Sequence, residues 1–196
     1  MRTIIPERDN PVLREKAQGI PLADIKSKRI QALISDMKAL LAKEEFGVAL
    51  AAPQVGESVR MFVVSGRALA RDARNAPDEP LRQAQAKPLR QAQAKPDKKP
   101  EPKEILPDQV YVNPVLTKVS RAKTDKHEGC LSIRGKWGEV PRAEKATVEA
   151  YDESGRKFTR GASGFLAHIF QHEMDHLEGI LYTDKATKLY EESHGK

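Results

Sequence analysis

A chain of 196 residues with 39% hydrophobic content is long enough to bury a core of its own and close to the usual size of one domain. The opening MRTIIPERDNP has no apolar run of signal-peptide length, and nowhere do the ~18 consecutive apolar residues of a membrane span occur, so a cytosolic, non-membrane protein is expected. Cys130 is the sole cysteine, which excludes an internal disulfide, fits a reducing compartment and leaves three roles for the thiol: packing, nucleophile or metal ligand. The net charge of +6 resides mostly in one stretch: Arg67 to Lys103 holds ten Lys and Arg against five Asp and Glu, so the rest carries +1. That is a nearly neutral body with one basic excursion, and specific DNA binding is not expected.

In chain order, Asn10-Pro11 places a cap residue and a first-turn proline before VLREKA, which predicts a short helix or turn. Asp24 precedes an amphipathic helix in which Ile30, Leu33, Ile34, Met37, Leu40 and Leu41 recur at helical spacing, ending before Gly47. VRMFVVS at 59–65 reads as a strand. From about 68 to 104 the composition turns to Pro, Ala, Gln, Arg and Lys, with PLRQAQAK twice in tandem at 80–87 and 88–95. Such a segment lacks the apolar surface to offset its ordering entropy and is read as a solvated insertion interrupting a single catalytic domain. Its functional alternative is a polybasic arm making transient contact with ribosomal RNA or another anion.

VYVNPVLTKVS at 110–120 and KATVEAYD at 145–152 predict further strands, the second entering a hairpin through ESGRKF and Gly155. Ser163-Gly164 opens the helical stretch FLAHIFQHEMDHLEG, closed by Gly179. Strands in runs with helices at either end indicate an α+β fold with small mixed or antiparallel sheets.

Within that last helix, His172-Glu173-Met174-Asp175-His176 places two imidazoles on one face, one turn apart, with Glu173 alongside as a base for water. The third ligand is not obvious. The extended zinc-protease pattern has its glycine at Gly179 but Tyr182 where its last histidine belongs, and Glu191 or Glu192 lie in a short polar tail. His168 on the same straight helix would sit ~12 Å from His176 along the axis, too far for bonds near ~2 Å, and is read as a packing or surface histidine. The remaining candidate is upstream, Cys130, in HEGCLS; a Cys/His/His set leaves the fourth position open, as catalysis needs.

GVALAAPQVG at 47–56, EGCLS at 128–132 and QHEMDHLEG at 171–179 occur in the order found in the peptide deformylases, and the chain resembles that family from PERDNPVLR to about Lys185 outside the insertion. The resemblance implies a deformylase-like fold around a central metal-binding helix and a reaction removing the N-formyl group from the initiator methionine of nascent chains, with release of formate. It implies Cys130, His172 and His176 as ligands of one divalent metal, Fe(II) natively with Zn(II), Ni(II) or Co(II) also admitted. Water on the metal is the implied nucleophile and Glu173 its base, with Gln54 and the Leu131 amide as oxyanion donors. Glu128 and Arg142 match a bracing ion pair; Val48, Phe165 and Ile169 match the methionine pocket; Ala49 stands where the family carries glycine in the strand that pairs with substrate. Two other readings are an internal metallopeptidase and an inactive homologue that binds nascent chains or the ribosome, the latter expected to have lost one of these residues.

Overall fold

The structure, a computed structural model, describes residues 2–75 and 106–191. The bulk of the insertion, including both copies of PLRQAQAK, and Glu192 lie outside the described residues.

Helix α1, Lys28–Lys43, buries Ile30, Leu33, Ile34, Met37 and Leu41, the stripe expected from spacing, while Leu40 is half-buried. Its cap is Ser27, whose Oγ accepts from the Ile30 amide at 3.4 Å; Asp24 instead closes a separate 3-10 turn, Leu22–Asp24, and its carbonyl accepts from the Ser27 amide. The Asn10-Pro11 turn also forms, as a 3-10 helix over Pro11–Arg14, but Asn10 does not cap it. The Asn10 amide donates across 43 residues to the Pro53 carbonyl at 2.8 Å, tying the N-terminal segment beneath the first motif.

Among the described residues eight strands follow: β1 Ala49–Ala51, β2 Met61–Val64, β3 Gln109–Val119, β4 Lys123–Cys130, β5 Ile133–Ala143, β6 Lys145–Tyr151, β7 Lys157–Ser163 and β8 Lys188–Glu191. They form a five-stranded sheet, β1-β2-β3-β6-β7, and a three-stranded one, β4-β5-β8, with every ladder antiparallel. Of these, β2, β3, β6 and the β6–β7 hairpin follow the sequence expectation. Three further helices are α2 Gly66–Asn75, α3 Gly164–Leu177 and the single turn α4 Tyr182–Lys185.

Both faces of the larger sheet are covered around β1, β2 and the start of β3, which is why MFVV in β2 is wholly buried rather than alternating. Met61, Val63, Val110 and Val112 pack with the apolar stripe of α1, whereas Phe62, Val64 and Tyr111 pack with Leu166, Phe170 and Leu177 of α3. Phe62 stacks on Tyr111 at 4.6 Å, and Phe170 meets Tyr111 edge-on at 5.3 Å, so aromatic rings seat the site-bearing helix on the sheet. The first turns of the stretch read as insertion belong to this core: α2 spans Gly66–Asn75 and buries Ala68 and Leu69.

Asn113 in β3 has φ +49, and its side chain clasps Ile20, accepting from the amide at 2.7 Å and donating to the carbonyl at 2.6 Å. Asn113→Ala removes both bonds and the residue type best suited to that backbone, so thermal or urea unfolding should show a loss of about 1–3 kcal/mol; an unchanged midpoint would refute the assignment.

Candidate metal centre

Helix α3 ends in a motif that its sequence requires. The Ile180 amide bonds the Asp175 carbonyl at 2.9 Å and the Gly179 amide the His176 carbonyl at 3.3 Å, with Gly179 at φ +73. A Cβ at Gly179 would also lie 2.7 Å from the Arg14 carbonyl oxygen, so only glycine fits. This fixes the last turn, which carries His176.

Cys130 arrives from the other sheet. It is the final residue of β4, paired with Ile133 across the two-residue turn Leu131-Ser132, and the ladder is irregular between Glu128 and Cys130. Such an irregularity re-aims side chains near a site; between the two residues, Gly129 lies flat against Trp137, whose ring would be 2.8 Å from an added Cβ. The ligand atoms of Cys130, His172 and His176 lie within 4.8 Å of one another, with Cys130 Sγ 3.3 Å from His176 Nε2. The expected set therefore converges in space although 46 residues separate its ends. Glu191, weighed earlier as a ligand, is instead an exposed residue of β8, ion-paired with Lys136.

Glu173 is buried beside them, with Oε2 lacking any hydrogen-bond partner, and His176 Nδ1 is likewise buried and unpartnered. A buried polar atom left unpaired costs about 1–3 kcal/mol, so the Glu173 oxygen, without a partner among the described residues and next to a thiol and two imidazoles, marks a cluster built to be completed by a cation and its water. The donor set fits: one soft sulfur and two imidazoles suit Zn(II), Fe(II), Co(II) or Ni(II) and not Mg(II) or Ca(II). Burial, aided by the charge on Glu128 and opposed by His172, pushes the Glu173 carboxyl up to about 7. Burial also depresses His176, with His172 adding to the effect. Burial would lower His172 too, but its bonds to Cys130 and Glu128 raise it instead.

Gln54 sits in the 3-10 turn Ala52–Val55 after β1, fully buried. Its Oε1 accepts from the Ala51 amide at 2.8 Å, which points Nε2 at Cys130 Sγ and Ser132 Oγ, each 3.4 Å away. Leu131 is the first residue of the turn between β4 and β5, where the amide is not used by the ladder. Val48 and Phe165 are half-buried against the α3 core cluster, Ile169 lies within it, and Ala49 is buried in β1, the edge strand of its sheet among the described residues.

The expected Glu128–Arg142 pair is present and larger than the sequence suggested. Arg142 Nε and Nη2 donate to Glu128 Oε1 and Oε2 at 2.6 and 3.0 Å, and its Nη1 donates to Asp175 Oδ2 at 2.6 Å. Lys185 Nζ completes the quartet on Asp175 Oδ1 at 2.6 Å. His172 Nδ1 meets Glu128 Oε2 at 2.8 Å, which fixes its tautomer and leaves Nε2 for a metal. Burial alone would raise Glu128, but bonds from Arg142, His168 and His172 hold it far below the usual carboxylate range. Asp175 and Lys185 were missed in sequence; the available signal was an acidic residue on the core face of an apolar helix, three residues after His172. His168 lies outside the converging group, and it is more than the packing or surface histidine expected, since its Nε2 lies 2.8 Å from Glu128 Oε1.

A thiol and two helical imidazoles around a buried carboxyl of raised affinity for protons define the class: a mononuclear metallohydrolase site on an α+β fold. The polypeptide deformylase family model matches residues 2–192, and the chain belongs to that family. It is 38% identical over 182 residues to a peptide deformylase of Thermus thermophilus, covering 91% of this chain and 79% of that one. It is 36% identical over 176 residues to the chloroplastic/mitochondrial peptide deformylase 1A of Arabidopsis thaliana, covering 90% of this chain but only 58% of that longer protein. The crystal structure of peptide deformylase from Thermotoga maritima superposes with a TM-score of 0.69 at 25% identity, over 96% of this chain and 99% of the other. Family members are amide hydrolases that remove N-formyl groups from newly made polypeptides. No helix among the described residues is long and apolar enough to cross a membrane.

Proposed function

We propose that this chain hydrolyses the formyl amide of formyl-methionyl peptides with Cys130, His172 and His176 holding one divalent metal, Fe(II) in the cell, and Glu173 handling the proton. The observation that carries the reading is the convergence of those three ligand atoms beside a buried Glu173 oxygen that has no partner. A bound divalent ion supplies Lewis acidity, lowering the pKa of water toward neutrality and polarising the formyl oxygen. Glu173, with an affinity for protons near neutral pH, accepts one from the attacking water and passes it to the departing amine, so water and the formyl amide become formate and a free N-terminus. Gln54 Nε2, 3.4 Å from Cys130 Sγ, and the amide of Leu131, the residue after Cys130, would donate to the oxyanion as the carbon becomes tetrahedral. The free edge of β1 receives the peptide as an added strand, with Val48 and Phe165 beside its first side chain and Ile169 behind them. Ala49 adds a methyl group to that strand. Such a substrate places the enzyme with the machinery of protein synthesis in the cytoplasm, where contact with the ribosome would be transient.

Protein loaded with Fe(II) under anaerobic conditions, or with Ni(II), should release formate from formyl-Met-Ala-Ser, and stripping the metal with a chelator should lower the rate by at least ~100-fold. If an internally blocked peptide is cleaved and no formate appears, the reading fails in favour of a metallopeptidase.

A further inference from the structure

Glu128 accepts four hydrogen bonds, and the fourth has no assigned role. Arg142 takes both oxygens with its fork, His172 Nδ1 shares Oε2, and His168 Nε2 shares Oε1. Two acceptances on each oxygen exhaust the lone pairs of the carboxylate. The group is buried, so an oxygen released by loss of one donor has no ready access to water.

The two histidines stand four residues apart on α3, so their backbone positions are separated by ~6 Å of helix rise while their rings converge on the two oxygens of one carboxylate. Glu128 lies two residues before Cys130 on β4, whereas the other two ligands are on α3. Arg142 on β5 already spans Glu128 and Asp175, tying the strand end to α3 indirectly. The histidines add direct bonds from helix to strand, and the second, from His168, restrains the angle that a single bond from His172 leaves free. The His168 ring is itself held, meeting the Phe165 ring edge-on at 6.4 Å, with the Arg71 guanidinium over the far ring at 4.2 Å. Arg142 and Lys185 already balance the charges of Glu128 and Asp175, so His168 contributes geometry and a donor.

We propose that His168 is a positioning residue that, through Glu128, locks the Cys130-bearing strand against the histidine-bearing helix and so slows release of the metal. The inference rests on the metal assignment made above. Partners bonded directly to a ligand are worth about 10–100-fold in affinity, and His168 acts one bond further out, so the low end of that range is expected.

The test uses Co(II)-loaded wild-type protein, His168→Leu, His168→Gln and His168→Asn, reading transfer of Co(II) to a chelator and the thiolate-to-metal absorption band. His168→Leu should lose Co(II) about tenfold faster with a shifted or broadened band. Gln presents an amide donor near the place of Nε2 and should restore retention to within about threefold; the shorter Asn should not. Should the Leu variant fail to fold, the Gln and Asn pair decides alone. Equal release from Leu and wild type, equal release from Gln and Asn, or a lowered melting temperature with unchanged release overturns the proposal, since a packing role predicts those results. A wild type that binds Co(II) without any thiolate band defeats the metal assignment itself, a failure visible before any variant is compared.

Discussion

Glu173→Gln should lower the rate of formate release from formyl-Met-Ala-Ser by about 10²–10⁴-fold, the range for loss of a general acid–base group, while metal content stays at that of the wild type. The glutamine keeps the size and polarity of the side chain but cannot take up a proton. Glu173 is not one of the three converging ligands, and the helix that holds His172 and His176 is seated by Phe170, Leu166 and Leu177, which the substitution does not touch. Loss of activity together with loss of metal would move Glu173 from base to ligand, and full activity would remove it from the chemistry altogether.

The second large effect is on stability. Arg142→Leu leaves the carboxylates of Glu128 and Asp175, only 2% and 8% exposed, without the cation that bridges them. Breaking a buried ion pair by deleting one partner costs about 3–5 kcal/mol, because the surviving charge is stranded in a medium that solvates it poorly. Lys185 is partly exposed and still bonds Asp175, so Glu128, left with the two histidines and no guanidinium, is the more weakly compensated group. The pH dependence has a definite sign. Glu128 holds its proton less tightly folded than unfolded, so its pairing stabilises the wild type fully above the ordinary carboxylate range; the benefit begins to fall as pH drops through that range and is exhausted only well below it, at the folded value. In the variant the stranded carboxylate gains by protonation over the same interval. Urea unfolding of the metal-free proteins should therefore show a gap near the full 3–5 kcal/mol at pH 7 that narrows toward pH 4, on the order given for such pairs. A gap that is small at pH 7, or that widens in acid, contradicts the ion-pair account.

The parts legible from sequence share a feature: their signal is local. The stripe of α1 and the hairpin at Gly155 follow from spacing and turn chemistry within a dozen residues, as does the helical end at Gly179. The i, i+4 histidines declare a shared face for the same reason. Strands β4 and β5 were not legible as strands, because KTDKHEGC and IRGKWGEVPRA mix charge and glycine where a half-buried strand usually alternates. They hold as a pair through their long ladder and through Arg142 and Glu128, which face each other's elements from opposite sides of it. The cap of α1 is not legible either: Asp24 and Ser27 are both good cap residues, and only the preceding 3-10 turn chooses between them.

His168 shows most clearly where one-dimensional reasoning stops. Helix rise alone puts it too far from His176 to share a metal. Its bond to Glu128 depends on a strand that folds back from 40 residues earlier and on an irregular ladder that turns the carboxylate toward α3, neither of which has a period or a spacing. The sequence by itself determined the two-histidine face, the carboxyl beside it and the single available thiol, since these depend on residue type and on the fixed rise of a helix. Tertiary structure alone decided that Cys130 meets that face, that Gln54 points its amide at the thiol, and that Glu128 is shared by Arg142 and two histidines. Those are contacts between segments far apart in the chain, set by how two sheets and one helix pack.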